Sequence, residues 1–125
     1  MVICSRSEEK LKNVVHEIKE EGGKAEYYVC DVRDNEQVVQ MFKQLKEKYG
    51  RIDVLVNNGG RMDRLLPVSR ADEELTEDVV ATNLLGPIRV TREAWPLFKG
   101  TGTIVNVSSL SALNGIGGVA YVTSK

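Results

Sequence analysis

The sequence predicts an α/β fold in which a parallel sheet is covered by helices, and three observations carry that reading. Apolar runs of strand length at residues 2–4, 25–30, 52–56 and 102–107 alternate with longer segments of helical periodicity. Glycine or asparagine marks the ends of several of these segments. The run from Ile52 to Val56 is apolar except for Asp53, which is the pattern of a parallel strand covered on both faces.

Each element follows from its residues. Val2-Ile3-Cys4 opens the chain as a strand with no turn or cap before it, so the first element reads as a strand entered partway through a longer fold. Ser7 is placed to cap a helix whose Leu11, Val14, Val15 and Ile18 fall at i, i+3, i+4 and i+7, and Gly22-Gly23 stops it. Ala25 to Cys30 is the second strand. Asp34 then caps a helix carrying Val38, Met41, Phe42 and Leu45 on one face, with Gly50 at its end. The third strand, Ile52 to Val56, ends at Asn57-Asn58-Gly59-Gly60, and residues 61–71 form a loop containing Pro67. Asp72 to Lys99 is helical, broken or kinked near Gly86-Pro87 because proline lacks an N–H donor and clashes with the preceding turn. Gly102 to Val107 is the fourth strand, and a small-residue, glycine-rich loop leads from it to a helix beginning at Ala120. No repeat or linker divides residues 1–125, so a single domain is expected.

Bulk composition narrows the function classes. A chain of 125 residues that is 42% hydrophobic and 28% charged suits one modest core. Seventeen basic residues against eighteen acidic ones leave a net charge of -1, which provides no footprint for nucleic acid or an anionic membrane surface. No apolar run approaches the roughly 20 residues that cross a bilayer, and no leader pattern opens the chain, so a cytoplasmic location is expected. Cys4 and Cys30 lack metal-ligand spacing and are expected to be reduced and structural, with no metal site.

The chemistry concentrates toward the end of the chain. Lys125 follows Tyr121 by four residues, and on a helix that spacing sets both side chains on one face, where an ammonium favours the ionised form of a phenol. By itself the pair is also what a solvated helix face presents. Its context is Gly102-Thr103-Ile104-Val105-Asn106-Val107-Ser108-Ser109, a strand that delivers hydroxyls at its carboxyl end, where ligands sit in open α/β sheets. A serine hydrolase fits poorly, since G-x-S-x-G is absent and the one histidine, His16, falls on the polar side of the first helix.

With these residues the sequence resembles the short-chain dehydrogenase/reductase family, whose members carry a serine at the end of this strand and Tyr-x-x-x-Lys about a dozen residues later. Asn57-Asn58-Gly59-Gly60 is similar to the family's Asn-Asn-Ala-Gly, with glycine in place of alanine. Ala81-Thr82-Asn83-Leu84 resembles the segment bearing the family's helical asparagine, and Cys30-Asp31-Val32 resembles the strand end whose aspartate lies beside the adenine. The resemblance covers the whole chain and implies a Rossmann-like, NAD(P)-binding domain over residues 1–125 and an oxidoreductase that moves hydride between a nicotinamide cofactor and a carbonyl or alcohol. Tyr121 would be the proton donor and acceptor, and Lys125 would lower its pKa and bond the nicotinamide ribose. Ser109 would polarise the substrate carbonyl, with Ser108 as the alternative. Asn83 would hold a water linking Lys125 to solvent, or would satisfy backbone freed near Pro87. The cofactor-binding set is Ser5, Arg6, Asp31, Val32, Asn57, Gly59, Tyr121 and Lys125. Full-length relatives would be homo-oligomers.

Enzymes of such folds that use NAD place an acid on the ribose 2'-hydroxyl at the end of the first strand, whereas Ser5-Arg6 stands here. A hydroxyl and a guanidinium suit a 2'-phosphate, so NADP(H) is favoured over NAD(H), unless Arg6 is only an exposed residue at a helix start. The family's first strand and phosphate-binding glycine turn, and its later strands, have no counterpart in residues 1–125, so a chain truncated at both ends is expected. Two functional readings follow: a reductase by ancestry whose isolated chain is inactive, or a fragment that acts by pairing its strand edges or helix faces with a partner. Lys125 ends the chain, so its helical turn is expected to fray and to hold the Tyr121–Lys125 pair poorly.

Overall fold

The computed structural model describes residues 1–125, and its four strands form two parallel pairs. β1 (Val2–Ser5) pairs with β2 (Glu26–Val29), setting Val2 opposite Glu26 and Ser5 opposite Val29. β3 (Val54–Asn57) pairs with β4 (Thr103–Asn106), setting Val54 opposite Thr103 and Asn57 opposite Asn106. The sheet lacking its first strand is present as two pairs: β1 and β3 are not bonded to each other, and no strand of residues 1–125 bridges them.

The capping expectations hold. In α1 (Glu8–Glu20) the Ser7 hydroxyl accepts from the Lys10 amide at 3.5 Å, and Leu11 and Val15 are buried. Val14 stays 41% exposed, so the apolar stripe is narrower than its spacing suggested. In α2 (Asn35–Tyr49) the Asp34 carboxylate accepts from the amides of Glu36 and Gln37 at 2.9 and 3.2 Å, and Gly50 ends the helix with φ 71°. Val38, Met41, Phe42 and Leu45 of α2 meet Val90, Ala94, Leu97 and Phe98 in the main core, with Cys30 beside them. Burial pushes the Cys30 thiol up to about 12, the behaviour of an inert, packed thiol.

The third strand departs from its expected span and setting. It begins at Val54 because the Ile52 amide leaves the ladder and donates to the Leu97 carbonyl at 2.9 Å. Coverage on both faces is also not found: Leu55 packs against the core, whereas Val54 and Val56 are each 55% exposed. The reason is topological. α1 packs on β1 and β2, so the β3–β4 pair is covered by helix α4 (Gly86–Ala94) on one face only.

The expected long helix is continuous, and its irregularity is a change of helical type. α3 (Glu73–Val80), capped by Asp72 through the Leu75 amide at 2.8 Å, runs into a π turn at Ala81–Leu85 and then into α4. Pro87 cannot supply the amide that would serve the Asn83 carbonyl four residues back. The chain widens there, and the Gly86 amide donates to Ala81, five residues back. A 3-10 turn at Trp95–Leu97 ends the run. The glycine-rich loop contains a one-turn helix, α5 (Ser111–Asn114), too short to show a period, and α6 (Val119–Ser124) carries Tyr121. No helix is long and apolar enough to cross a membrane.

Candidate functional site

Within each pair the strands run parallel, so their carboxyl ends lie on one edge, where open α/β sheets bind ligands. β1 ends at Ser5 beside Arg6, and β2 leads into Asp31-Val32. β3 leads into Asn58-Gly59-Gly60, and β4 leads into Ser108-Ser109.

At the β3–β4 end the π turn and α6 close a cleft of about 520 Å³ whose lining includes Asn57, Gly59, Asn83, Ser108, Ser124 and Lys125. Asn83 is buried, and both polar atoms of its side chain are hydrogen-bonded. Its Oδ1 accepts from the Arg61 amide at 2.8 Å, while Nδ2 donates to the Arg61 carbonyl at 2.9 Å and to the Ser124 hydroxyl at 3.0 Å. One asparagine therefore clamps the start of the loop after β3 and holds α6. The Lys125 ammonium donates to the Val107 carbonyl at 2.7 Å, and the Ser108 hydroxyl donates to the Lys125 carbonyl at 2.6 Å. Lys125 lies just beyond α6 and is bonded at both its ammonium and its backbone oxygen, because the end of β4 lies within reach. Gly60 borders the same point: a Cβ built there would stand 3.7 Å from Lys125 Nζ and 3.8 Å from Asn83 Oδ1.

Other expected residues lie apart. Tyr121 is half-buried on α6 and Ser109 sits in the turn into α5, where its Oγ accepts from the Ser111 amide at 3.2 Å; neither lines the cleft. The serine that does is Ser108. Asn57 turns inward, its Nδ2 donating to Thr91 Oγ1 at 3.1 Å and Asn106 Oδ1 at 2.8 Å, so it knits β3 to β4 and α4. A Cβ at Gly59 would meet nothing within 4 Å, so that backbone is open to a ligand.

At the β1–β2 end the Ser5 hydroxyl is engaged with the backbone of Ser7, and Arg6 is exposed with no ion-pair partner. Asp31 is saturated by Arg33, whose Nε lies 3.1 and 3.0 Å from the two carboxylate oxygens and whose second nitrogen lies 2.6 Å from Oδ2. These bonds hold the Asp31 carboxyl below its ordinary range. Arg33 also pairs with Asp78, whose other oxygen pairs with Arg61 at 3.0 Å. An ion-pair chain thus joins Asp31 to the residue that Asn83 clamps. Sequence reasoning missed Arg33, Arg61 and Asp78, since only Asp31 and Arg33 are near neighbours and nothing periodic marks the others. Val32 packs against the π turn, where a Cβ on Gly86 would come within 2.7 Å of Val32 Cγ2.

Against known proteins, the family model described as short chain dehydrogenase matches residues 1–125. The chain is 39% identical to the 3-oxoacyl-[acyl-carrier-protein] reductase of Thermotoga maritima over 95% of its own length and 49% of that protein. It is 38% identical to a 3beta-hydroxysteroid dehydrogenase of Mediterraneibacter gnavus, over 100% of this chain and 46% of the other. Among solved structures, a variant actinorhodin polyketide ketoreductase with NADPH superposes with a TM-score of 0.92 at 37% identity, covering 98% of this chain and 49% of that one. The chain spans about half the length of the curated relatives it matches.

Proposed function

This chain belongs to the short-chain dehydrogenase family, and we propose that it carries part of an NADP(H)-dependent site that interconverts a carbonyl and an alcohol. The observation that supports this most is the convergence of Asn83, Ser108 and Lys125 on one cleft beside the open backbone of Gly59-Gly60. The residues fit a nicotinamide dinucleotide. Arg6 offers an unpaired guanidinium for a 2'-phosphate, Val32 offers an apolar surface beside the adenine, and Gly59 leaves room for close approach of a ribose. When bound, the cofactor supplies or accepts hydride.

The chain's own residues do the rest. Tyr121 gives a proton to the carbonyl oxygen or takes one from the alcohol. A serine hydroxyl at the end of β4 donates to the oxygen on which negative charge develops; Ser109 keeps this role by its place in the sequence motif, and Ser108, which lines the cleft, competes for it by turning its one hydrogen from the Lys125 backbone oxygen to the substrate. Lys125, fixed by the Val107 carbonyl, keeps two further ammonium hydrogens for a ribose hydroxyl. The Asn83 side chain is a clamp, so the water linking Lys125 to solvent would be held by the Asn83 carbonyl, which Pro87 leaves without its helical donor. One relative is named for a 3-oxoacyl group and another for a hydroxysteroid, which supports a small carbonyl or alcohol as the substrate class. A cytoplasmic location and a homo-oligomeric full-length protein complete the proposal.

The test is a chimera in which residues 1–125 replace the matching segment of a full-length reductase from the family. It is expected to oxidise NADPH with a ketone, and Tyr121→Phe is expected to abolish turnover with NADPH binding retained. Turnover unaffected by Tyr121→Phe would remove the proton-transfer role. A second reading is favoured by the two unjoined strand pairs and the exposed Val54 and Val56: the chain acts as a complementation module that takes up a strand from a partner. A chimera that folds and binds NADPH but never turns over would support it.

A further inference from the structure

Resting on that reading of the site, we propose that Asp63 is a positioning residue: its carboxylate, carried on the loop after β3, holds the first turn of the helix that bears Tyr121 and Lys125. Helix α6 has no cap of its own, since Gly118 occupies the N-cap position and no local side chain bonds its first amides. Those amides are served from 57 and 58 residues away, Ala120 N donating to Asp63 Oδ2 at 3.0 Å and Tyr121 N donating to Asp63 Oδ1 at 3.2 Å. Two orphan donors at a helix start are thereby satisfied by one carboxylate, and a negative group at that end is favourable to the helix dipole.

Gly118 leaves the space in which that carboxylate sits. Its backbone, φ -65° and ψ 147°, is open to any residue, so conformation does not demand glycine there. Space does: a Cβ would fall 2.0 Å from Asp63 Oδ1 and 2.2 Å from its Cγ. The side chain is missing at 118 where the carboxylate from 63 enters. Two residues before Asp63, the Arg61 backbone is clamped by Asn83 through both its N–H and its C=O. Residues 61–63 therefore fasten the Asn83 turn at one end and α6 at the other, so the loop after β3 sets the spacing between Asn83 and the Tyr121 helix.

The experiment compares Asp63→Ala, Asp63→Asn, Gly118→Ala and the Asp63→Ala/Gly118→Ala double variant of the full chain. Amide hydrogen exchange is read at Ala120 and Tyr121, with the α2 amides from Val38 to Leu45 as the folding control, and NADPH affinity is read by fluorescence titration. Loss of a cap is expected to speed exchange at Ala120 and Tyr121 by about 3- to 30-fold and to weaken NADPH several-fold, with α2 unchanged. Asp63→Asn, which keeps an acceptor oxygen, is expected to recover most of both. Gly118→Ala is expected to reproduce Asp63→Ala, and the double variant to be no worse than either single one. Unchanged exchange in Asp63→Ala, or a harmless Gly118→Ala, would overturn the proposal. Faster exchange with undiminished NADPH affinity would also overturn it, by leaving Asp63 a cap with no effect on the site. If the parent chain binds no NADPH, the proposed function fails on its own, and the exchange pattern still decides whether Asp63 holds α6.

Discussion

Replacing Gly86 with alanine sets two effects of opposite sign against each other. In an unobstructed helix the change would stabilise the chain by about 1 kcal/mol, because alanine loses less backbone entropy than glycine. Here the new methyl would lie 2.7 Å from Val32 Cγ2 and 3.2 Å from Val32 Cβ, closer than packed carbons approach. Val32 is β-branched, so it cannot swing aside without leaving its preferred rotamer. Overpacking of this kind costs about 1–3 kcal/mol, which leaves a net loss of roughly 0–2 kcal/mol. In the Val32→Ala background the 2.7 Å contact with Cγ2 is gone and only the 3.2 Å contact with Cβ remains, so the same Gly86→Ala change should cost clearly less. Urea unfolding followed by circular dichroism at 222 nm measures both, and the expected signature is a coupling of about 1 kcal/mol or more between positions 32 and 86. The reasoning is refuted if Gly86→Ala stabilises the Val32 chain, or if its cost is equal in the two backgrounds.

Two further outcomes follow from charge and burial. Arg33 holds the folded Asp31 carboxyl below the ordinary 3.8, so this pair contributes stability at pH values above about 4 and loses it as the pH falls through the folded value. Arg33→Met should lower stability at neutral pH by about 1 kcal/mol and flatten the acid slope below about pH 4; parallel slopes in urea titrations would contradict this. The Cys30 thiol, raised to about 12 by burial, should resist iodoacetamide at pH 8 in the folded chain and react once the chain is unfolded, as followed by intact mass.

What the sequence made legible was what it encodes locally. Ser7 and Asp34 announced their helices, the α2 face from Val38 to Leu45 was its true core face, and the four-residue step from Tyr121 to Lys125 lies on and just beyond α6. The site's supports were not legible, because each joins distant segments. Asn83 clamps Arg61 across 22 residues, Arg33 reaches Asp78 across 45, and Asp63 reaches Ala120 across 57. No period links such pairs, and a loop aspartate looks the same whether it is solvated or bonded. Pro87 marked where the central helix would change but not how, since a lost amide can be absorbed by a kink or by a π turn. Strand pairing is likewise a long-range property: the apolar run at residues 52–56 announced a strand, while the coverage of its two faces depended on which helices reach β3.

The central claim, an NADP(H)-preferring site of the short-chain dehydrogenase type, is tested most directly by titrating the chain with NADPH and NADH, alongside Arg6→Ala. A guanidinium on a 2'-phosphate contributes about 1.5–3 kcal/mol, so NADPH should bind saturably and about 10- to 100-fold more tightly than NADH. Arg6→Ala should erase that difference and leave NADH affinity unchanged. Saturable binding of neither dinucleotide, or a preference for NADPH that survives Arg6→Ala, would contradict the account.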